Sequence, residues 1–256
     1  MQEKIISADV KTAYDEFYEQ HDIAWRMLGA KYKAQHIIHV CKGYSFKTVL
    51  EVGAGDGSIL KLLSERDFSP GYDAVEISDS GVELIKKAGI KNLRSVQEFD
   101  GYKLPFEDDS FDLIILSHVL EHVEHERLLL RELKRVAKMF VIEVPLDYKP
   151  GVDKRIKHFL AYGHINVYTP TSLRYLLQTE GYEVLGDLTS MIEPEVTRFN
   201  AYINQKKNKN LITDIKITAE YTLKSLLAGL GSRRKEAMAN AYTVLCKKAD
   251  HQPELF

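Results

Sequence analysis

The sequence predicts an α/β fold in which a largely parallel sheet carries helices on both faces. Three observations lead there. Short apolar strands alternate with amphipathic helical stretches from Thr48 to Leu185, the pattern of successive strand–helix–strand units. One strand, Phe111–Ser117, is almost continuously apolar, as a central strand covered on both faces must be. The first strand runs into Gly53-Ala54-Gly55-Asp56-Gly57 directly before a helix, an arrangement that suits a ligand seat at the sheet edge.

In chain order, residues 8 to 41 read as an amphipathic helical stretch with Trp25, Met27, Leu28, Ile37, Ile38 and Val40 as packing positions. Residues 1–42 are expected to form an N-terminal helical lid and 43–256 the main domain. Gly43 punctuates before a first strand, Phe46 to Val52, and a helix follows to about Arg66. Pro70-Gly71 turns the chain into a second strand, Tyr72 to Ile77. Asp79 or Ser80 caps the next helix, which Gly89 stops. Leu93 to Val96 is a short third strand and Phe111 to Ser117 the fourth. Helix signals run from Glu124 to Lys138, with Leu128, Leu129, Leu133 and Val136 on the apolar side. Phe140 to Val144 is a fifth strand ended by Pro145. A long polar loop leads to Pro170, which opens a helix ending at Gly181, and Tyr182 to Leu185 begins a sixth strand.

The pattern then changes. A helical insertion over about 191–240 precedes the last strand, Tyr242 to Cys246. After the polar break Lys206-Lys207-Asn208-Lys209-Asn210, apolar residues recur at Ile212, Ile215, Ala219, Leu223, Leu226, Leu227 and Leu230, a helical stripe. Packing against the domain is its expected role, with dimerisation and membrane association as alternatives. Mixed charge on the polar side of the stripe weighs against the membrane.

Bulk properties narrow the function. With 35 Lys and Arg against 37 Asp and Glu, the net charge is −2, which argues against a globally electrostatic nucleic-acid binder. Cys41 and Cys246 match no metal-ligand spacing and read as buried free thiols. Met1 to Val10 lacks the apolar core of a signal peptide, and no stretch reaches the length of a membrane span. A cytoplasmic protein, monomeric or homodimeric, is the expectation.

The glycine turn carries the first chemical signal. Its spacing is G-x-G-x-G, without the third glycine of a dinucleotide fingerprint. Glu51, two residues before the first glycine, would oppose a pyrophosphate but attract a cation. Glu76, at the end of the second strand, is placed to accept hydrogen bonds from ribose hydroxyls. Further along come Asp100-Gly101, the segment Leu104-Pro105-Phe106-Glu107-Asp108-Asp109-Ser110-Phe111-Asp112, then Ser117-His118-Val119-Leu120-Glu121-His122. With these, residues 45 to 190 resemble the class I S-adenosylmethionine-dependent methyltransferases, in the type 11 and 23 subgroup typified by L-P-F-x-D-x-S-F-D.

That resemblance implies a Rossmann-like, seven-stranded, mostly parallel sheet whose last strand is antiparallel. It implies S-adenosyl-L-methionine as cofactor and S-adenosyl-L-homocysteine as product. Glu51, Gly53, Ala54 and Gly55 would surround the methionine part, Glu76 the ribose, and Ile77 the adenine ring. Asp100 would accept from the adenine amino group, with the Gly101 backbone against the ring. Ser117 and His118 would lie beside the sulfonium. Tyr14, in Ala13-Tyr14-Asp15, resembles a lid tyrosine that reaches the cofactor carboxylate.

The sulfonium is already activated, so the enzyme must align an acceptor and exclude water. The expected reaction is O-methylation of a small molecule or glycan precursor, and Trp25-Arg26-x-x-Gly29-Ala30-Lys31 is similar to bacterial methyltransferases of glycan biosynthesis. A protein or RNA methyltransferase and a non-catalytic cofactor-binding regulator are the alternatives. A hydroxyl acceptor gains from a base titrating near neutrality. His164, in Tyr162-Gly163-His164-Ile165-Asn166, is the leading candidate, with His122, His118 and His158 behind it. His118-x-x-Glu121-His122 is similar to the metal-binding E-x-x-E-H of ubiquinone-pathway and small-RNA 2′-O-methyltransferases. This chain has a histidine where their first glutamate stands, and no metal is expected.

Overall fold

The structure, a computed structural model, describes residues 23–250. The seven strands are β1 (Val49–Val52), β2 (Tyr72–Glu76), β3 (Leu93–Glu98), β4 (Phe111–Ser117), β5 (Ala137–Pro145), β6 (Tyr182–Ser190) and β7 (Ala241–Lys248). They form one sheet in the order β3-β2-β1-β4-β5-β7-β6. β1 through β5 pair in parallel, and β7 lies antiparallel between β5 and β6.

Alternation along the strands sorts their side chains into two cores. Ile114 and Leu116 of β4 join Leu50, Phe140 and Ile142 on one face, beneath helices α4 (Glu126–Val136) and α6 (Pro170–Thr179). Leu113 and Ile115 join Val49, Val141 and Leu245 on the other. That face is covered by α1 (Ile23–Val40), α2 (Ser58–Ser64) and α3 (Asp79–Lys87). Ala34 and Ile37 of α1 are fully buried there. Both cysteines are buried and unbridged.

Several local expectations change. Ser78 caps α3, its Oγ accepting from Gly81 N at 3.0 Å, rather than Asp79 or Ser80. Leu128 is 46% exposed and Leu130 takes the buried position, because α4 begins at Glu126 and its inward row is Leu129, Leu130, Leu133 and Val136. The loop before Pro170 contains a 3-10 turn, Val152–Arg155, and a short helix α5 (Ile156–Leu160). β6 continues five residues past Leu185 to Ser190, where pairing with β7 sustains it after a register shift at Gly186.

The insertion folds as α7 (Pro194–Phe199), a π turn at Asn200–Asn204, α8 (Leu211–Ala228) and α9 (Ser232–Met238). Phe199 packs on Trp25 with ring centroids 5.6 Å apart. The stripe from Ile212 to Leu230 does not pack on the domain. α8 has no buried residue, because its contacts with the body run through polar side chains on the opposite side.

Candidate active site

The functional residues collect where the parallel strands end. Gly53 turns the chain out of β1 at φ +69°, and a Cβ there would sit 2.7 Å from Val119 Cγ2. Glycine is therefore required by both backbone and space. The Gly53 and Ala54 amides donate to Val75 O at 2.9 and 3.1 Å. Gly55 N donates to Glu76 Oε2 at 2.8 Å, while Glu76 Oε1 accepts from Ile77 N at 2.9 Å. Behind the turn, Asp56 accepts from Arg26 Nε of α1 at 2.7 Å.

Glu51 lies 2% exposed beneath this turn, and its Oε2 has no hydrogen-bond partner. Burial pushes its carboxyl well above the ordinary range; Lys33 opposes this, while Asp56 and Glu76 add to it. A buried carboxyl with one unpartnered oxygen beside an open glycine turn suits a cationic group, which would favour its ionised form. The ammonium group of S-adenosylmethionine meets that need, and a diphosphate does not.

The segment after β3 closes against the same edge. Phe99 N donates to Glu76 O at 3.1 Å, tying the segment after β3 to β2. Asp100 Oδ1 accepts from Tyr102 N at 2.9 Å and Lys103 N at 2.6 Å. It thus shapes a turn through Gly101, whose φ is +86°, and its Oδ2 takes no part in that turn. Ile77 is half-buried against the core.

At the end of β4, His118 holds a left-handed φ of +57°, a conformation that a non-glycine residue keeps only where its surroundings enforce it. Its amide donates to Glu143 O at 2.8 Å. Its ring stands between two buried carboxylates, with Nε2 3.3 Å from Glu143 and Nδ1 3.3 Å from Glu121. Burial and Lys33 push its pKa down, but the two acids outweigh them and the net shift is upward. Glu143 also takes His36 Nδ1 at 2.9 Å, Thr243 Oγ1 at 2.5 Å and Ser117 Oγ at 3.4 Å. Burial alone would raise Glu143, yet His118 and His36 hold it well below the usual carboxylate range.

The segment around His164 is stitched to the 3-10 turn Leu120–His122. Ile165 N and Asn166 N donate to Glu121 O at 2.8 and 3.0 Å, and Asn166 Nδ2 donates to Leu120 O and Val123 O. His122 Nδ1 donates to Gly163 O at 3.1 Å. His164 Nδ1 lies 2.8 Å from Asp147 Oδ2; with Nδ1–H donating to the carboxylate, Nε2 is the ring nitrogen left with a free lone pair. The His122 and His164 rings meet edge-on, 4.9 Å apart. One ligand atom each of Glu121, His122 and His164 lies within 4.8 Å of the others, a donor set that could hold a divalent cation. His118 is not in that set. His158 sits apart on α5, exposed and ringed by Phe159 and Tyr162.

A cavity of about 780 Å³ opens between α1, the end of β6 and the inner side of α8; of the site residues described above, His36 is the one that borders it. Tyr32, His36, Thr189 and Tyr221 are among its walls. His36 leads from there to Glu143, and Glu143 to His118. Sequence reasoning missed His36, Lys33, Asp147, Glu143 and Thr243. Glu143 left a signal, since it is a lone carboxylate inside the apolar strand Phe140–Val144. Tyr14 lies outside the described residues.

The sheet order, the glycine turn and the carboxylates at the ends of β1 and β2 define a class I S-adenosylmethionine-dependent methyltransferase. The chain belongs to the methyltransferase-domain family, whose model matches residues 25–186. It is 28% identical to the uncharacterised methyltransferase YcgJ of Bacillus subtilis over 59% of this chain and 54% of that one. It is 29% identical to the phthiotriol/phenolphthiotriol dimycocerosates methyltransferase of Mycobacterium tuberculosis, over 52% of this chain and 47% of that one. The first three curated relatives are spanned over 71%, 26% and 52% of their length. Among solved structures, an S-adenosylmethionine-dependent methyltransferase from Archaeoglobus fulgidus matches with a TM-score of 0.56 at 19% identity, covering 87% of this chain and 94% of that one. The crystal structure of YcgJ matches with a TM-score of 0.55 at 17% identity, covering 86% of this chain and all of that one. No helix among the described residues is long and apolar enough to cross a membrane.

Proposed function

We propose that this methyltransferase methylates a hydroxyl of a small molecule or glycan precursor, with His164 as the proton acceptor. The observation that carries this reading is the Asp147–His164 pair at 2.8 Å, tied to the turn that follows β4. S-Adenosylmethionine supplies the activated methyl group when bound. Glu51 receives its ammonium, Glu76 and Asp100 its ribose and adenine, and Ser117 and His118 border its reactive end.

The rest falls to the chain. Asp147 holds the His164 proton on Nδ1 and leaves Nε2 basic, so Nε2 takes the proton of the acceptor hydroxyl as the oxygen is methylated. Glu143 and Glu121 fix the ring of His118 from both sides and shift its pKa upward.

Incubation with 13C-methyl donor and a panel of phenols, sugars and nucleotide sugars tests this. The expected product carries its label as an O-methyl carbon in the NMR spectrum, with one equivalent of S-adenosylhomocysteine formed. Label found only on nitrogen or carbon would overturn the reading.

A further inference from the structure

Helix α8 has its main apolar stripe turned outward. Beside the half-buried Ile217 and Ala228, its body-facing side makes polar contacts: Asp214 accepts from Arg198 Nε at 3.2 Å and from Tyr202 OH at 2.8 Å, and Tyr221 OH donates to Glu193 at 2.9 Å. Ser225, on the same side, borders the cavity. The apolar stripe faces away. Ile212 is 75% exposed, Ile215 60%, Leu223 58%, Leu226 67% and Leu230 66%. At 100° per residue these positions and Ala219 fall within one narrow face, where a helix of a water-facing surface would carry charge.

The polar side of the helix is of mixed charge, but the segments at its two ends are basic, and they say what covers that face. Residues 201–240 hold eight Lys or Arg and three Asp or Glu, net +5, in a chain whose net charge is −2. The cations bracket the stripe: Lys206, Lys207 and Lys209 precede the helix and Arg233, Arg234 and Lys235 follow it. Lys216 and Lys224 run along its flank, the latter paired with Glu220 at 2.6 Å. Two copies meeting on this stripe would bring two such cationic rims together. An anionic bilayer answers both features, taking the Leu and Ile side chains at the acyl boundary and the Lys and Arg heads at the phosphates.

We propose that α8 and its basic flanks dock this methyltransferase on an anionic membrane surface, with the helix lying in the plane of the interface. The docking does not depend on which acceptor is methylated.

Co-sedimentation of the intact protein with vesicles tests it. Binding to equal parts of phosphatidylglycerol and phosphatidylcholine should be at least about tenfold tighter than to phosphatidylcholine alone. It should weaken in raised salt. Leu223→Glu with Leu226→Glu alters two exposed side chains, so the circular dichroism and melting curve should be kept while vesicle affinity falls about tenfold or more. Lys206→Glu with Lys207→Glu should weaken binding to the anionic vesicles alone. Absence of vesicle binding, or binding that the Leu223 and Leu226 changes leave intact, would overturn the proposal. A dimer by light scattering that those changes dissociate, without vesicle binding, would assign the stripe to a second copy and overturn it equally.

Discussion

Glu76 Oε2 accepts the Gly55 amide proton at 2.8 Å, so the last residue of β2 clamps the turn that leaves β1. The same carboxylate takes Ile77 N on its other oxygen. Ser78 N also approaches that second oxygen at 3.4 Å, so Glu76→Gln keeps the shape but leaves at least one of the three amides without an acceptor and removes the charge. A hydrogen bond to a charged group contributes about 1.5–3 kcal/mol. Calorimetry should therefore show donor affinity weakened roughly 10- to 100-fold. An unchanged Kd would mean that Glu76 acts only within the protein.

Gly53 offers a steric test of the same seat. A Cβ would lie 2.7 Å from Val119 Cγ2 at a φ of +69°, so Gly53→Ala has to move both the turn and the start of the segment after His118. A destabilisation on the order of 1–3 kcal/mol is expected. For a protein of this size that is a fall of roughly 2–10 °C in the melting temperature. Donor affinity should fall with it, and a variant as stable and as tight as the parent would contradict the geometry.

These two positions show what could be read from the chain alone. The glycine turn, Glu51 and Glu76 are local: a strand end, a turn and a fixed spacing place them, and the sheet put them where that spacing said. Phe111–Ser117 was equally legible, because a strand buried on both faces has few ways to be written. His36, Asp147 and Thr243 were not legible. Each reaches the site from an element whose sequence position says nothing of its neighbour: Thr243 meets Glu143 across 100 residues through the antiparallel β7. The outward stripe of α8 misled for a related reason. Periodicity reveals that a helix has an apolar face, and only contacts such as Asp214–Tyr202 reveal which way it points.

The acid limb of stability should trace to Glu143. Burial would raise its pKa, but His118 and His36 more than reverse that, leaving the folded value well below the ordinary 4.5. A depressed folded pKa means stability that is complete above the unfolded value and lost as pH falls toward the folded one. Melting temperature should therefore drop as pH is taken from 6 to below 4. Glu143→Gln should cost on the order of 3 kcal/mol at neutral pH and flatten that dependence. A parallel pH profile in the variant would place the acid sensitivity elsewhere.

Metal removal discriminates two uses of the cluster at Glu121. Its carboxylate is fully buried, and neither oxygen has a hydrogen bond of good geometry. The ring of His118 stands 3.3 Å away with its pKa raised, a partner for the carboxylate that needs no ion. Turnover should accordingly survive dialysis against a chelator. Loss of activity that a divalent cation restores would mean that Glu121, His122 and His164 bind metal, and would remove His164 as the base.

The Asp147–His164 pair makes the remaining prediction. If Nε2 of His164 receives the hydroxyl proton, His164→Ala should lower kcat on the order of 100-fold or more, while calorimetric donor affinity stays within about twofold, since Glu51 and Glu76 are untouched. Asp147→Asn keeps a hydrogen-bonding side chain beside Nδ1 but removes the charge that favours the productive tautomer. Its kcat should fall less than that of His164→Ala. Full turnover in both variants would exclude the pair from proton transfer.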